Sequence, residues 1–263
     1  MDILSLTVAQ IKELAGRNGG PTDDLLQAMA LDKRSAVQSL YRHYIIARQK
    51  QNDNFRRLER MKVYERSLKK PGCGIVAGVD EAGRGPLAGP VVAAAVILPE
   101  VFLLEDLDDS KKIAPVRRAK LDTVIKKTAL AWSVGISTVN EIDLYNIHHA
   151  TMLAMLRALN SLDMRPELVL IDGRFTLPDT NIDQKAIVGG DGLCPSIAAA
   201  SVVAKVTRDR LMQIYHLLYP EYGFDSHKGY GTAAHLAALS VFGPCPVHRR
   251  SFAPVKQLVN DLS

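Results

Sequence analysis

Two adjacent carboxylates close an apolar run in the first third of this chain, and a glycine-rich turn follows at once. Gly74-Ile75-Val76-Ala77-Gly78-Val79 reads as a buried strand, Asp80-Glu81 ends it, and Ala82-Gly83-Arg84-Gly85-Pro86 turns the backbone. Neighbouring carboxylates repel, and burying them demands a compensating charge. A divalent cation is the usual compensation, and Mg²⁺ or Mn²⁺ favours hard oxygen ligands. An isolated Asp-Glu would more simply cap the turn. Two further acids change that balance. Asp172 ends the run Leu168-Val169-Leu170-Ile171, and Asp191 follows Ile187-Val188-Gly189-Gly190, just ahead of helical text near Ser196. Alone, Asp172 would read as a turn cap and Asp191 as a helix-start acid. Together, three strand ends that each deliver carboxylate can converge at one sheet edge, where α/β sheets hold their ligands. Four oxygen donors with no His or Cys close by in sequence favour Mg²⁺ or Mn²⁺ over zinc. A pair of such ions about 4 Å apart serves in-line phosphodiester displacement. Asp106, Asp108 and Asp109 form a weaker loop cluster, and Asp143 and Asp209 lie in helical text where pairing with basic neighbours is the simpler reading.

The pattern around these acids predicts an α/β domain with a mixed sheet. Strands are expected up to Asp80 and over 91–98, 131–139, 167–172 and 185–188, and helices over 115–129, 146–162 and 196–219. Ahead of them, Thr7 and Gln10 form a capping-box pattern, a short helix is expected over 23–30, and 33–69 holds helix formers with no Gly or Pro. Lys70-Pro71-Gly72 breaks that pattern, so the boundary is expected there: a small, largely helical domain over 1–70 and a catalytic domain over 71–263.

Charge divides the same way. Residues 1–70 carry 14 Lys and Arg against 8 Asp and Glu, and residues 71–263 carry 19 against 20. Within 33–70 the balance is 12 to 3. A basic arm beside a near-neutral body suggests a polyanion, and nucleic acid fits best; a solvated helix face is the plainer alternative. Tyr41, Tyr44 and Phe55 lie among these basic residues, either to stack on bases or to build a small core. No apolar run approaches the roughly 18 residues of a membrane span, and the first residues lack the pattern of a secretory signal. The chain is therefore expected to be cytoplasmic, without a membrane partner. Cys73, Cys194 and Cys245 have no zinc or disulfide spacing, and the seven histidines have no metal spacing.

The stretch from Gly78 to Val91, Gly78-Val79-Asp80-Glu81-Ala82-Gly83-Arg84-Gly85-Pro86-Leu87-Ala88-Gly89-Pro90-Val91, resembles the opening signature of bacterial ribonuclease HII, a type 2 ribonuclease H family. The resemblance continues through Asp109-Ser110-Lys111-Lys112, Glu141 to Ile147, Asp172-Gly173, Gly190-Asp191, Ile197 to Lys205, His227-Lys228-Gly229-Tyr230-Gly231-Thr232 and His248-Arg249-Arg250-Ser251-Phe252. It spans roughly 73–255, and residues 1–70 look like the N-terminal extension of a subset of the family. It implies a ribonuclease H-like fold, with a mixed five-stranded sheet flanked by helices, acting as a monomer. It also implies hydrolysis of the RNA strand in RNA–DNA hybrids, and incision 5′ of ribonucleotides embedded in duplex DNA, leaving 3′-hydroxyl and 5′-phosphate ends. Asp80, Glu81, Asp172 and Asp191 match the family's catalytic metal carboxylates for Mg²⁺ or Mn²⁺. Gly83, Arg84, Gly85 and Tyr230 match its ribonucleotide-sensing elements, and the 2′-hydroxyl they would read is what separates RNA from DNA. Lys111, Ser201 and Lys228 are candidate phosphate contacts. Two departures stand out: the family commonly has Lys where this chain has Gly189, and Ser where it has Cys194.

Two other functions share parts of this pattern. A nuclease of the same architecture acting on DNA alone would carry the carboxylates but has no reason to carry Gly83-Arg84-Gly85 with Tyr230. A non-catalytic binder would rely on the basic arm and has no need of four acids.

Overall fold

The computed structural model describes residues 3–17, 20–102, 104, 107, 110 and 113–261. The chain forms two compact units, Met1–Arg57 and Leu58–Ser263. The first holds α1 (Val8–Gly16), α2 (Asp23–Leu31) and most of α3 (Ser35–Ser67). The Thr7–Gln10 capping box starts α1 as the sequence predicts. Ile11, Ala15, Leu25, Met29 and Val37 form its core, with Tyr41 and Tyr44 packed against it. Of the three arm aromatics, Phe55 alone is exposed. Arg34 pins this unit by donating to the carbonyls of Ile3 and Leu6 and to the carboxylate of Asp32.

The units part inside α3, not at Lys70–Pro71 where the sequence breaks its helical pattern. Packing sets this boundary. Leu58 and Met61, on the last turns of α3, are buried in the core of the second unit. Glu65 follows them and accepts from both the backbone N–H and the hydroxyl of Ser196, at 3.0 and 2.7 Å. Its carboxylate thus caps a helix whose own N-cap residue, Cys194, makes no side-chain bond.

The second unit is built on a five-stranded sheet in the order β3-β2-β1-β4-β5, where β1 is Val76–Ala82, β2 Val91–Ile97, β3 Ala131–Ser137, β4 Leu168–Asp172 and β5 Asp183–Ile187. The first three strands run antiparallel, and β4 and β5 run parallel to β1. One face carries α4 (Pro115–Thr128) and α6 (Pro195–Leu218), and the other carries α5 (Val139–Asn160). Asn146 interrupts α5 at φ 70° and caps its second half through the N–H groups of His148 and His149. This break is why the sequence pattern announces a helix only from Asn146. Helices α7 (Phe224–His227), α8 (Ala233–Phe242) and α9 (Val255–Asp261) complete the unit.

Helix α6 lies unusually close to β1. A Cβ on Gly78 would fall 2.1 Å from the Ser196 carbonyl carbon, so only glycine lets the helix N-terminus press onto the strand. The contact fixes the depth at which the rest of α6 faces Asp80. Among the described residues, no helix is long and apolar enough to cross a membrane.

Candidate active site

The parallel pairing of β1 and β4 sets the site. Val79 pairs with Ile171, so the next residues lie side by side, Asp80 still inside β1 and Asp172 at the end of β4, about 5 Å apart along the sheet. Gly190, in the turn after β5, donates its N–H to Asp172 Oδ1 at 2.7 Å. That bond brings the adjacent Asp191, half-buried in the 3₁₀ turn Gly190–Gly192, to the same edge.

Asp80 is 4% exposed. It accepts from the Glu81 N–H at 2.7 Å, and the Ser201 hydroxyl on α6 lies near enough to favour its charged form. Burial, then the charges of Glu81 and Asp172, push its carboxyl well above the usual range. Burial also raises Glu81, opposed by the Arg84 guanidinium 3.4 Å away. These carboxylates repel one another with little cationic relief, which is the electrostatic condition of a site built for a cation. All donors are carboxylate oxygens, suited to a hard divalent ion. Among the described residues, no three His, Cys, Asp or Glu side chains are gathered at metal-holding distance. Asp80, Asp172 and Glu81 are instead turned onto Glu81 N–H, Gly190 N–H and Arg84.

The residues expected to sense a ribonucleotide lie beside this edge. Tyr230 lies against Gly85, where a Cβ would be 3.7 Å from its ring. Its side chain is 46% exposed. Gly83 has φ +99°, and a Cβ there would meet Arg208 at 2.0 Å, so position 83 excludes any side chain for internal reasons. Lys228 borders a cleft of about 630 Å³ shared with Arg118, Lys205, Arg210 and Tyr230. Ser201 takes a different place from the one a phosphate contact needs. It is buried, and its hydroxyl bonds that of Ser110 at 2.9 Å. Lys111, like Asp106, Asp108 and Asp109, lies outside the described residues.

Two residues that sequence reasoning gave no role hold the turn. Arg208 is 1% and Arg249 0% exposed. Arg208 donates to the carbonyls of Ala88, Pro90 and Lys228, each at 3.0 Å. Arg249 donates to those of Gly83, Arg84 and Gly89 at 2.5–3.0 Å. Their partners are carbonyls, so burial lowers both pKa values, that of Arg249 to about 9. The spacing held a signal for Arg208: Ser201, Lys205, Arg208 and Met212 follow one helical stripe, and Met212 lies under Gly89 as Arg208 lies under Gly83.

The two departures are accommodated. Gly189 has φ +68° with open space where a Cβ would stand. Cys194 is fully buried among Val76, Leu170 and Ile197. Burial pushes its thiol up to about 12, so it acts as a small apolar side chain.

The raised Asp80 carboxyl carries a stability consequence. The folded state binds a proton that the unfolded state has released, so stability falls as pH rises from the unfolded carboxylate pKa through the folded one. In the absence of metal, Asp80→Asn should therefore unfold at a higher temperature than wild type at pH 7–8, by about 2–4 °C per kcal/mol of relieved repulsion. The gap should close near pH 4. Calorimetry in EDTA checks this, and a variant less stable than wild type at pH 8 would contradict it.

Comparison with known proteins gives the site its family. The ribonuclease HII family model matches residues 77–255, and the ribonuclease HII N-terminal domain model matches residues 7–69. The ribonuclease HII of Pelotomaculum thermopropionicum is 54% identical over 97% of this chain and 96% of its own length. That of Bacillus licheniformis is 46% identical over 96% and 98%. The crystal structure of ribonuclease H2 from Pyrococcus horikoshii OT3 superposes with a TM-score of 0.61 at 28% identity, over 71% of this chain and 98% of that one. The sheet order, the carboxylate edge and these similarities agree: the chain belongs to the ribonuclease HII family, nucleases that cleave the RNA of RNA–DNA hybrids.

Proposed function

We propose that this protein also incises duplex DNA on the 5′ side of an embedded ribonucleotide, and that both reactions leave 3′-hydroxyl and 5′-phosphate ends. The observation that carries this reading is the meeting of two features at one sheet edge. Burial, with the charges of neighbouring carboxylates, raises Asp80 and Glu81 there, and Tyr230 lies against Gly85 beside them. A nuclease indifferent to the 2′-hydroxyl would need only the first.

Asp80, Glu81, Asp172 and Asp191 are the residues to hold Mg²⁺ or Mn²⁺, turning from their present hydrogen bonds to do so. Two such ions, when bound, acidify a water and neutralise charge on the leaving oxygen. The chain's own residues do the rest. Ser201, beside Asp80, favours its charged form. Arg84 balances Glu81. The Gly83-Arg84-Gly85 backbone and Tyr230 read the 2′-hydroxyl, the group that distinguishes RNA at a given site. Lys228, with Arg118, Lys205 and Arg210 in the neighbouring cleft, fixes register on phosphates, a role to which Lys111 also belongs by its motif.

Cleavage of a labelled DNA duplex holding one ribonucleotide tests this. With Mg²⁺ or Mn²⁺ the cut should fall 5′ of the ribonucleotide, and EDTA should abolish it. Asp80→Asn should lower kcat/KM by about a hundredfold or more. An all-DNA duplex cut as readily would overturn the reading in favour of a DNA nuclease.

The basic arm is proposed to add affinity through phosphates. Arg42, Lys50 and Arg56 are exposed on α3. Each phosphate neutralised contributes about 0.9 to the slope of log affinity against log salt. Replacing these three with Gln in the full chain should weaken duplex binding, flatten the slope by roughly one for each phosphate left without its cation, and leave single-turnover cleavage at saturation unchanged. An unaltered slope would make the arm a solvated face.

A further inference from the structure

Three histidines lie behind Tyr230, and none of them belongs to the carboxylate edge. His235, on the first turn of α8, and His248 are fully buried. His227, at the end of α7, stacks on His235 with ring centroids 4.4 Å apart. Phe224 packs against all three rings, and Tyr222 packs against His248. Apolar side chains would fill such a space at less cost, because a buried polar ring must find partners for both nitrogens.

The partners fix which nitrogen carries each proton. The Cys245 backbone N–H points at His248 Nδ1 at 3.0 Å, and a backbone N–H can only donate. His248 Nδ1 is therefore an acceptor, and the neutral ring carries its proton on Nε2. That Nε2 lies 3.0 Å from His235 Nε2, so His248 donates and His235 Nε2 accepts. The His235 proton is then on Nδ1, 2.9 Å from the Tyr230 carbonyl oxygen, which only accepts. Every bond runs in one direction, from Cys245 N–H through His248 and His235 to Tyr230.

Both ends of the chain are tied to the recognition elements. His248 forms a β-bridge with Ala88, and Gly89 N–H donates to the Val247 carbonyl. The next residue, Arg249, holds the carbonyls of Gly83, Arg84 and Gly89. At the other end, the Tyr230 ring lies against Gly85. His227 Nδ1 accepts from Gly229 N–H at 3.2 Å and supports the same segment from its other side. The chain thus joins the two halves of the recognition surface through the interior.

We infer that His248 and His235 are positioning residues for ribonucleotide recognition, acting through this one-way hydrogen-bond chain on the backbone of Tyr230. The inference rests on the reading of Tyr230 as a sensor of the ribonucleotide. The chain requires both rings neutral, since a charged His235 would face His248 donor to donor. The surroundings enforce that state. Burial holds His235 below its usual range and, with His235 beside it, lowers His248 to about 4. The charged groups Arg208 and Arg249 are buried cations close by, and burial keeps the Cys245 Sγ, 3.1 Å from His248 Nδ1, a thiol with a pKa of about 11.

Two measurements test the inference. Nitrogen-15 NMR of the full chain at neutral pH should find His235 as the Nδ1–H tautomer, the minor form of free histidine, and His248 as the Nε2–H tautomer. A charged ring, or His235 protonated on Nε2, would overturn it. In kinetics, His235→Leu should lower kcat/KM at an embedded ribonucleotide about tenfold, the usual cost of stripping one buried carbonyl of its donor. His235→Asn, whose amide nitrogen falls near Nδ1, should recover most of that loss. In a Tyr230→Ala background, His235→Leu should cost nothing further. Full additivity there, with the tautomers as stated, would overturn the inference alone. A Tyr230→Ala variant as active as wild type would instead overturn the reading of Tyr230 on which it rests.

Discussion

Repulsion among carboxylates at the ends of β1 and β4 is the constraint around which the second unit is arranged. A strand carrying Asp80-Glu81 near its end, beside a strand ending in Asp172, would be more stable splayed apart or exposed. Helix α6 prevents both. It presses onto β1 through Gly78, is capped by Glu65 from α3, and covers Asp80 with the Ser201 hydroxyl close by. Burial strengthens the repulsion that burial alone cannot relieve. A site that holds such stress in its resting state is matched to a ligand of opposite charge, and folding stability is given up to keep it.

The neighbouring recognition surface solves the opposite problem. Its turn is rich in carbonyls that point inward and find no strand partner. Arg208 and Arg249 answer them with fork-shaped guanidiniums, each spanning several carbonyls, a geometry lysine cannot reproduce. The neutral His248–His235 pair does the same for Tyr230. Interior polar groups therefore fix the shape of the turn and leave its outer surface to the substrate. Positive charge beneath the turn and negative charge at the sheet edge are kept apart by one stripe of α6, with Ser201 facing the acids and Arg208 facing the turn.

Much of this was legible in the sequence because the signals were local. The apolar run into Asp80, the run into Asp172, Pro115 at a helix start and the Thr7–Gln10 box each specify an element by themselves. The acids of the proposed metal site stood out after apolar runs, and Tyr230 only through the resemblance of its motif. What stayed hidden depends on pairing between distant segments. Nothing near Arg249 announces that its guanidinium reaches Gly83, and His235 and His248 become a chain only when α8 and the 245–249 segment pack together. Ser201, expected as a phosphate contact, is buried and bonded to Ser110, a placement set by its position on the α6 stripe. The boundary near residue 70 was read from Lys70-Pro71-Gly72, a true helix stop next to where the N-terminal domain match ends at residue 69, while packing carries Leu58 and Met61 of α3 into the core of the second unit.

The central claim is that the stress at this edge exists to be relieved by a divalent cation. Thermal unfolding with increasing Mg²⁺ or Mn²⁺ tests it most directly, compared between wild type and Asp80→Asn at pH 5.5 and pH 8. Relief of repulsion predicts that metal raises the wild-type midpoint, more at pH 8 than at pH 5.5, where protons compete for the same oxygens. Asp80→Asn should respond far less. A wild-type midpoint indifferent to metal at pH 8, or an equal rise in the variant, would contradict the account.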